Sequence, residues 1–129
     1  MKNTKFLVSY RELRVYQAAL DSALQVFELS HRFPAEEQER LARPLVQATR
    51  LVCVYIAQAW LRRRYPSAFV ARLNHAEAEA AATQVWLELA VLCHYLDAEI
   101  GQEVHHQYWE VLSDLDRLIA NAAAWVDPI

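Results

Sequence analysis

Apolar residues recur along this chain at three- and four-residue steps, the period of an amphipathic helix, in four segments divided by short breaks. The first segment runs from about Tyr10 to Arg32. Its Leu13, Tyr16, Leu20, Ala23, Leu24, Phe27 and His31 fall on one stripe. Phe33-Pro34 stops it, because a proline pushes the residue before it out of helical geometry. The second begins among Glu36, Glu37 and Glu39, whose charges suit a helix N-terminus, and continues to about Arg64. Pro44 marks either a kink or a late start. The third follows Pro66, with Ser67 as predicted N-cap, and reaches about Tyr95. Its predicted inner stripe is Phe69, Leu73, Ala76, Ala80, Thr83, Leu87, Val91 and His94. The fourth spans about Gln102 to Trp125 and turns Val104, Tyr108, Val111, Leu112, Leu115, Leu118, Ile119, Ala122 and Val126 inward, with Pro128 closing it. Short connections make neighbouring helices antiparallel. The expected fold is all-α: an up-down-up-down four-helix bundle forming one domain over residues 1–129.

Two segments carry more apolar surface than one bundle covers. Helix three has a second stripe, Ala78, Ala82, Val85, Leu89, Leu92 and Leu96, opposite the first. Helix two is apolar on almost every side between Leu51 and Leu61. Each buried Leu or Val is worth roughly 1.5–3 kcal/mol, so water on this second stripe is costly. Ordinary bundles expose some Ala and Leu, but the amount here points to a homo-oligomer with Leu51, Val54, Leu61, Val85, Leu89, Leu92 and Leu96 at the contacts.

Composition agrees with helix. One glycine, Gly101, and four prolines are too few for a sheet protein's turns. Cys53 and Cys93 both sit in apolar helical pattern and read as reduced, buried thiols. The first eight residues lack a signal peptide's apolar centre. No run reaches the ~18 apolar residues of a membrane span. A cytoplasmic protein without a membrane segment is expected.

Charge is divided unevenly along the chain. Residues 1–39 are nearly balanced, residues 40–75 hold seven arginines and no acid, and residues 76–129 hold ten acids and one arginine. The cluster Arg62-Arg63-Arg64, with Arg72 nearby, is therefore the leading ligand candidate. It offers phosphate contacts to RNA or DNA, and Tyr65 offers a ring for a base. A net charge of −3 weighs against a nucleic-acid binder, since the acid-rich half repels phosphate. Contact with the protein's own acidic helices, within or between subunits, is the favoured use of the cluster.

Catalytic signals are weak. Glu28-x-x-His31 and Glu103-x-x-His106 have the spacing of bundle di-metal sites. However, His106 and Glu103 fall off the helix-four core stripe while His31 falls on the stripe of helix one, so no metal or other cofactor is expected. No Ser-His-Asp or Cys-His order stands out, and one glycine makes no phosphate-cradling loop. The expectation is not an enzyme. Of four tryptophans, Trp109 falls off the core stripe, which fits either an interface or packing at a bundle edge.

Ser9-Tyr-Arg-Glu-Leu-Arg-Val-Tyr-Gln17 opening helix one and Phe33-Pro34 closing it, followed by Leu45, Ala48, Ile56-Ala57, Arg63, Phe69, Leu73-Asn74 and Ala76, resemble the four-helix-bundle proteins encoded in intervening sequences of bacterial large-subunit ribosomal RNA genes. The resemblance covers most of the chain. It implies a bundle, usually a ring-like pentamer, and kinship with the accessory variability determinant of diversity-generating retroelements, a basic pentamer that binds nucleic acid and a reverse transcriptase. The family's Asn-Ile-Ala-Glu-Gly hallmark reads Tyr55-Ile-Ala-Gln-Ala59 here, its Gly-Ser reads Ala78-Glu79, its later Glu is Ala82, and its basic pair is Val46-Gln47. The expected function is a self-associating binding or scaffolding module. The alternative is a nucleic-acid accessory protein acting with ribosomal RNA or a reverse transcriptase through Arg62, Arg63, Arg64 and Arg72.

Overall fold

Four helices form because each of the four periodic segments finds two neighbours. The computed structural model describes residues 9–125, with α1 over Arg14–Ser30, α2 over Arg43–Leu61, α3 over Pro66–Leu92 and α4 over Ala98–Ala120. α1 packs on α2 and α4, and α3 packs on the same two, so the helices stand at the corners of a square in chain order. This is the up-down-up-down bundle expected from short connections.

The helix ends show how local chemistry sets each boundary. Ser9 Oγ accepts the Arg11 N–H at 3.1 Å and caps a 3-10 turn over Tyr10–Glu12. Leu13 is then extended and buried, so α1 starts later than the periodicity predicts. Before α2 the chain makes a 3-10 turn over Ala35–Glu37 and a widened π turn over Gln38–Ala42. There the Arg43 N–H reaches back five residues to Gln38. Pro44 has no N–H to donate and its ring crowds the preceding turn, which the wider turn relieves. Gln38 Nε2 donates to the carbonyls of Ser30 (3.0 Å) and Phe33 (2.9 Å), tying the α1–α2 connection down.

α3 begins at Pro66 itself, with Tyr65 at the N-cap and Ser67 already inside the first turn. Proline's fixed φ suits the first helical position, and that takes precedence over the serine cap. α3 ends at Leu92, earlier than predicted. His94 adopts φ 64°, its N–H bonds Val91 O, and the Tyr95 N–H bonds Ala90 O, both at 2.9 Å. This left-handed closure points His94 into solvent and ends the helical stripe before it. Cys93 is likewise exposed, whereas Cys53 is buried, and the two are not bonded. α4 begins at Ala98, four residues before the expected Gln102, and ends at Ala120 ahead of a 3-10 turn over Ala122–Trp125. Val126 and Pro128 lie outside the described residues.

The core is built from small residues where helices meet. Ala19, Ala23, Ala48, Ala59, Ala76, Ala80 and Ala90 are buried between larger Val26, Val52, Ile56, Phe69, Leu73, Leu87, Val104 and Leu115. Gly101 belongs to this set, because a Cβ there would collide with a methyl of Val91. The α3 stripe is buried as predicted from Phe69 to Leu87. Of the α1 stripe only Leu13 and Ala23 are buried, with Tyr16 half-buried. Val15, Ala19, Ser22, Ala23, Val26, Leu29 and Ser30 face the core, while Leu20, Leu24, Phe27 and His31 are exposed. α1 carries two apolar stripes about a third of a turn apart, and close packing selects the one with smaller side chains.

Polar groups between helices are mostly paired. Ser22 Oγ donates to Gln107 Oε1 (2.7 Å), whose amide donates to Gln25 Oε1 (3.2 Å), joining α1 to α4. The buried Thr49 and Thr83 hydroxyls donate to Val46 O and Glu79 O of their own helices. The Tyr108 hydroxyl is buried without a partner, and its pKa is pushed far up by that burial and then by the nearby Cys53 thiol. On α3, Glu77 meets Asp116 of α4. Burial, then the hydrogen bond and charge of Asp116, hold the Glu77 carboxyl up at about 7.

Two predictions follow from these local features. A side chain at positive φ costs ~1–2 kcal/mol relative to glycine, so His94→Gly raises stability by about 1 kcal/mol in urea unfolding. A carboxyl whose pKa rises on folding stabilises the folded state fully below its unfolded pKa, and that contribution is lost as pH climbs through the folded value. Glu77→Gln therefore melts close to the parent near pH 4.5. It then melts progressively higher than the parent up to about pH 7, where its amide still donates to Asp116 and the parent's carboxylate repels it.

Candidate functional site

The residues predicted for an oligomer contact separate into different surfaces. Val85, Leu89 and Leu92 lie in water on the outer face of α3, with Leu92 73% exposed. Val54 and Leu61 are exposed on α2, and Leu51 is half-buried. Leu96 corrects the expectation. It follows the left-handed turn rather than continuing the α3 stripe, and it is 7% exposed, packed beside Gly101.

Between α3 and α4, the exposed α3 stripe opens onto a groove of about 670 Å³. Leu87, Val91 and Gly101 line its depth, and Leu92 and Trp109 stand at its edges. Trp109 is 56% exposed, and its ring stacks on His106 with centroids 5.7 Å apart. The polar side of the groove is His105, whose Nε2 lies 2.8 Å from Glu88 Oε2. Gln84 Nε2 donates to the His105 carbonyl at 3.2 Å and fixes the helix beneath it.

A second apolar surface sits on the opposite edge of the bundle. Leu20, Leu24 and Phe27 follow the edge of α1 next to α2, with Leu24 58% exposed. The Arg50 guanidinium lies 5.3 Å from the Phe27 ring centroid, and His31 meets Phe27 edge-on at 4.6 Å. The sequence signalled these residues as large apolar side chains at regular spacing, the same signal that assigned them to the core.

The arginine cluster divides. Arg63 lies over the Trp60 ring at 4.5 Å and donates to the Trp60 carbonyl at 3.0 Å, so it closes the C-terminus of α2. Arg62 and Arg64 are exposed, and Arg72 is half-buried nearly two turns into α3. Among the described residues, none of Arg50, Arg62, Arg63, Arg64 and Arg72 forms an ion pair, and Arg43 pairs with Glu39 of its own segment. The expected pairing of this cluster with the chain's acidic helices does not occur within one chain. α4's charges are used locally instead, as in Arg117 with Asp114 and His106 with Glu110.

Glu28, His31, Glu103 and His106 are all exposed, which corrects the inward orientation expected of His31. Among the described residues, no group of three or more His, Cys, Asp or Glu converges as metal ligands do. Burial pushes the Cys53 thiol up to about 11, away from the reactive thiolate. No helix among the described residues is long and apolar enough to cross a membrane.

No curated protein matches the sequence. A crystal structure of a protein with unknown function from the S23 ribosomal protein family of Bacteroides thetaiotaomicron superposes with a TM-score of 0.74. It is 22% identical, and the alignment covers 82% of this chain and 95% of that one. At that identity the likeness is one of fold. The model of the 23S rRNA-intervening sequence protein family matches residues 11–117, from the opening motif of the first segment almost to the end of α4. The chain belongs to the 23S rRNA-intervening sequence protein family.

Proposed function

We propose that this protein is a self-associating binding or scaffolding module, not an enzyme, and that exposed apolar side chains on its helices form the contacts between copies. The observation that carries the reading is the outer face of α3, where Val85, Leu89 and Leu92 stand in water beside an apolar groove. Contiguous apolar surface of this kind marks a protein contact more often than a solvated face. Val54 and Leu61 extend apolar surface onto α2. Five copies is the number that the family resemblance implies. Sedimentation equilibrium at micromolar concentration is expected to give several times the mass of one chain. A single-chain mass at that concentration removes this reading.

A second reading rests on the pole of the bundle where α2 meets α3. Arg62 and Arg64 project from it without ion-pair partners among the described residues, next to the exposed ring of Tyr65. The family is named for intervening sequences of 23S rRNA, and such an end suits an RNA backbone with a ring available for stacking. Arg63 is already engaged with Trp60 and contributes less. Each phosphate contact adds about 0.7 to the slope of log affinity against log salt for single-stranded RNA. Arg62→Glu with Arg64→Glu therefore lowers that slope in a filter-binding series by more than one unit. No retention of RNA at low salt, or an unchanged slope, removes the RNA reading.

A further inference from the structure

The groove between α3 and α4 is a concavity as well as an apolar surface. Its volume of about 670 Å³ lies inside the range of small-molecule sites, roughly 300–1,000 Å³. Its floor is already in place. Leu87 is buried, and glycine at 101 lets the α4 backbone come so close to Val91 that a Cβ would collide with a Val91 methyl. The Gln84 amide ties α3 to the His105 carbonyl of α4 at 3.2 Å. A preformed floor costs an incoming molecule little ordering. At the groove's edges, Leu92 stands on α3 and Trp109 on α4. The Trp109 ring stacks on His106 with the two planes only 10° apart, which holds a flat aromatic surface at that edge.

The charges decide what such a groove admits. No Lys or Arg lines it, so a carboxylate or phosphate finds no permanent counter-charge there. Its one carboxylate is Glu88, whose Oε2 lies 2.8 Å from His105 Nε2. A carboxylate can only accept, so the imidazole nitrogen donates. An organic cation therefore competes with a partner already seated, on a side chain that is more than half exposed and screened by water. A molecule without net charge loses least on leaving water for this floor of Leu87 and Val91. Glu88 Oε1 makes no hydrogen bond among the described residues and stays available as an acceptor beside the apolar floor.

We propose that the α3–α4 groove binds a flat, uncharged aromatic molecule carrying one hydrogen-bond donor. Its ring system lies between Trp109 and Leu92 over Leu87 and Val91, and its donor meets Glu88 Oε1. The site needs no second copy of the chain and lies apart from the arginine-bearing pole. It also leaves Val85 and Leu89, which do not line the groove, open to a subunit contact.

The test is isothermal titration of the full chain with four probes built on one ring system. They are indole, 1-methylindole without the donor, indole-3-acetate with an anion, and tryptamine with a cation. Indole is expected to bind about fivefold more tightly than each of the other three. Trp109→Ala weakens indole by about fivefold through loss of ring contact, and Glu88→Ala brings indole down to the level of 1-methylindole. Phe27→Ala, on the far edge of the bundle, leaves indole binding unchanged. Circular dichroism and thermal melting confirm that each variant folds as the parent does. No binding of indole at millimolar concentration overturns the proposal, as does indole bound no better than tryptamine or indole-3-acetate, or indole binding unmoved by Trp109→Ala. If a second copy fills the groove instead, the parent binds no probe and Trp109→Ala lowers the sedimenting mass, which overturns the ligand site and leaves self-association standing. A monomeric parent that binds indole with this selectivity removes self-association and upholds the site.

Discussion

Close approach between helices is the constraint on which this structure depends. Alanines at 19, 23, 48, 59, 76, 80 and 90, with Gly101, occupy the places where backbones come nearest. Small side chains let the helices pack tightly, and larger Trp60, Tyr108, Phe69, Leu73, Leu87 and Leu115 fill the space between them. Other large apolar residues are turned outward: Leu20, Leu24 and Phe27 on α1, Val85, Leu89 and Leu92 on α3, and Trp109 on α4. These side chains leave apolar surface in water, and the self-association proposed above is the contact that would cover it.

The same constraint explains where sequence reading succeeded and where it failed. On α3 the inner and outer stripes lie on opposite faces, so Phe69, Leu73, Ala76, Ala80, Thr83 and Leu87 were legible as core. On α1 the two stripes are only about a third of a turn apart and share Ala23. Periodicity cannot rank them, and side-chain size ranks them the wrong way, since the bulkier Leu20, Leu24 and Phe27 are the ones left outside. Leu96 and His94 were misplaced for a different reason. A single left-handed residue ends α3, and no proline or glycine announces it. The α3–α4 groove was partly legible: Leu92 and the outlying Trp109 were read as surface, but Leu87 and Val91 were expected in the core, and the pairing of His105 with Glu88 needed the helix register.

Charge segregation carries a parallel lesson. Seven arginines in one segment and ten acids in another invite the view that the two halves neutralise one another. Helix geometry prevents this inside one chain. α2 and α4 stand at diagonal corners, and the apolar core lies between them. Exposed ion pairs within a helix, such as Arg43 with Glu39, contribute little. The segregated charge therefore acts on whatever approaches from outside, where it sets orientation and rate of encounter more than strength.

The altered hallmark can now be placed on this frame. Ala59 is buried where the family pattern has glycine, and an alanine inside a helix is worth roughly 1 kcal/mol over glycine. Tyr55, in place of asparagine, is half-buried with its ring 5.1 Å from His75 of α3. Gln58, in place of glutamate, faces solvent. Ala82, half-buried on α3, replaces a second acid. Two acids and a glycine have thus given way to neutral groups on and beside the α2–α3 contact. Conversion to packing holds for positions 55 and 59 but not for 58, which is neutralised and left exposed. Losing the acid at position 58, one turn before Arg62, removes nearby counter-charge and makes this pole more cationic even though the chain as a whole is acidic; position 82 lies ten residues, about 15 Å, along α3 from Arg72.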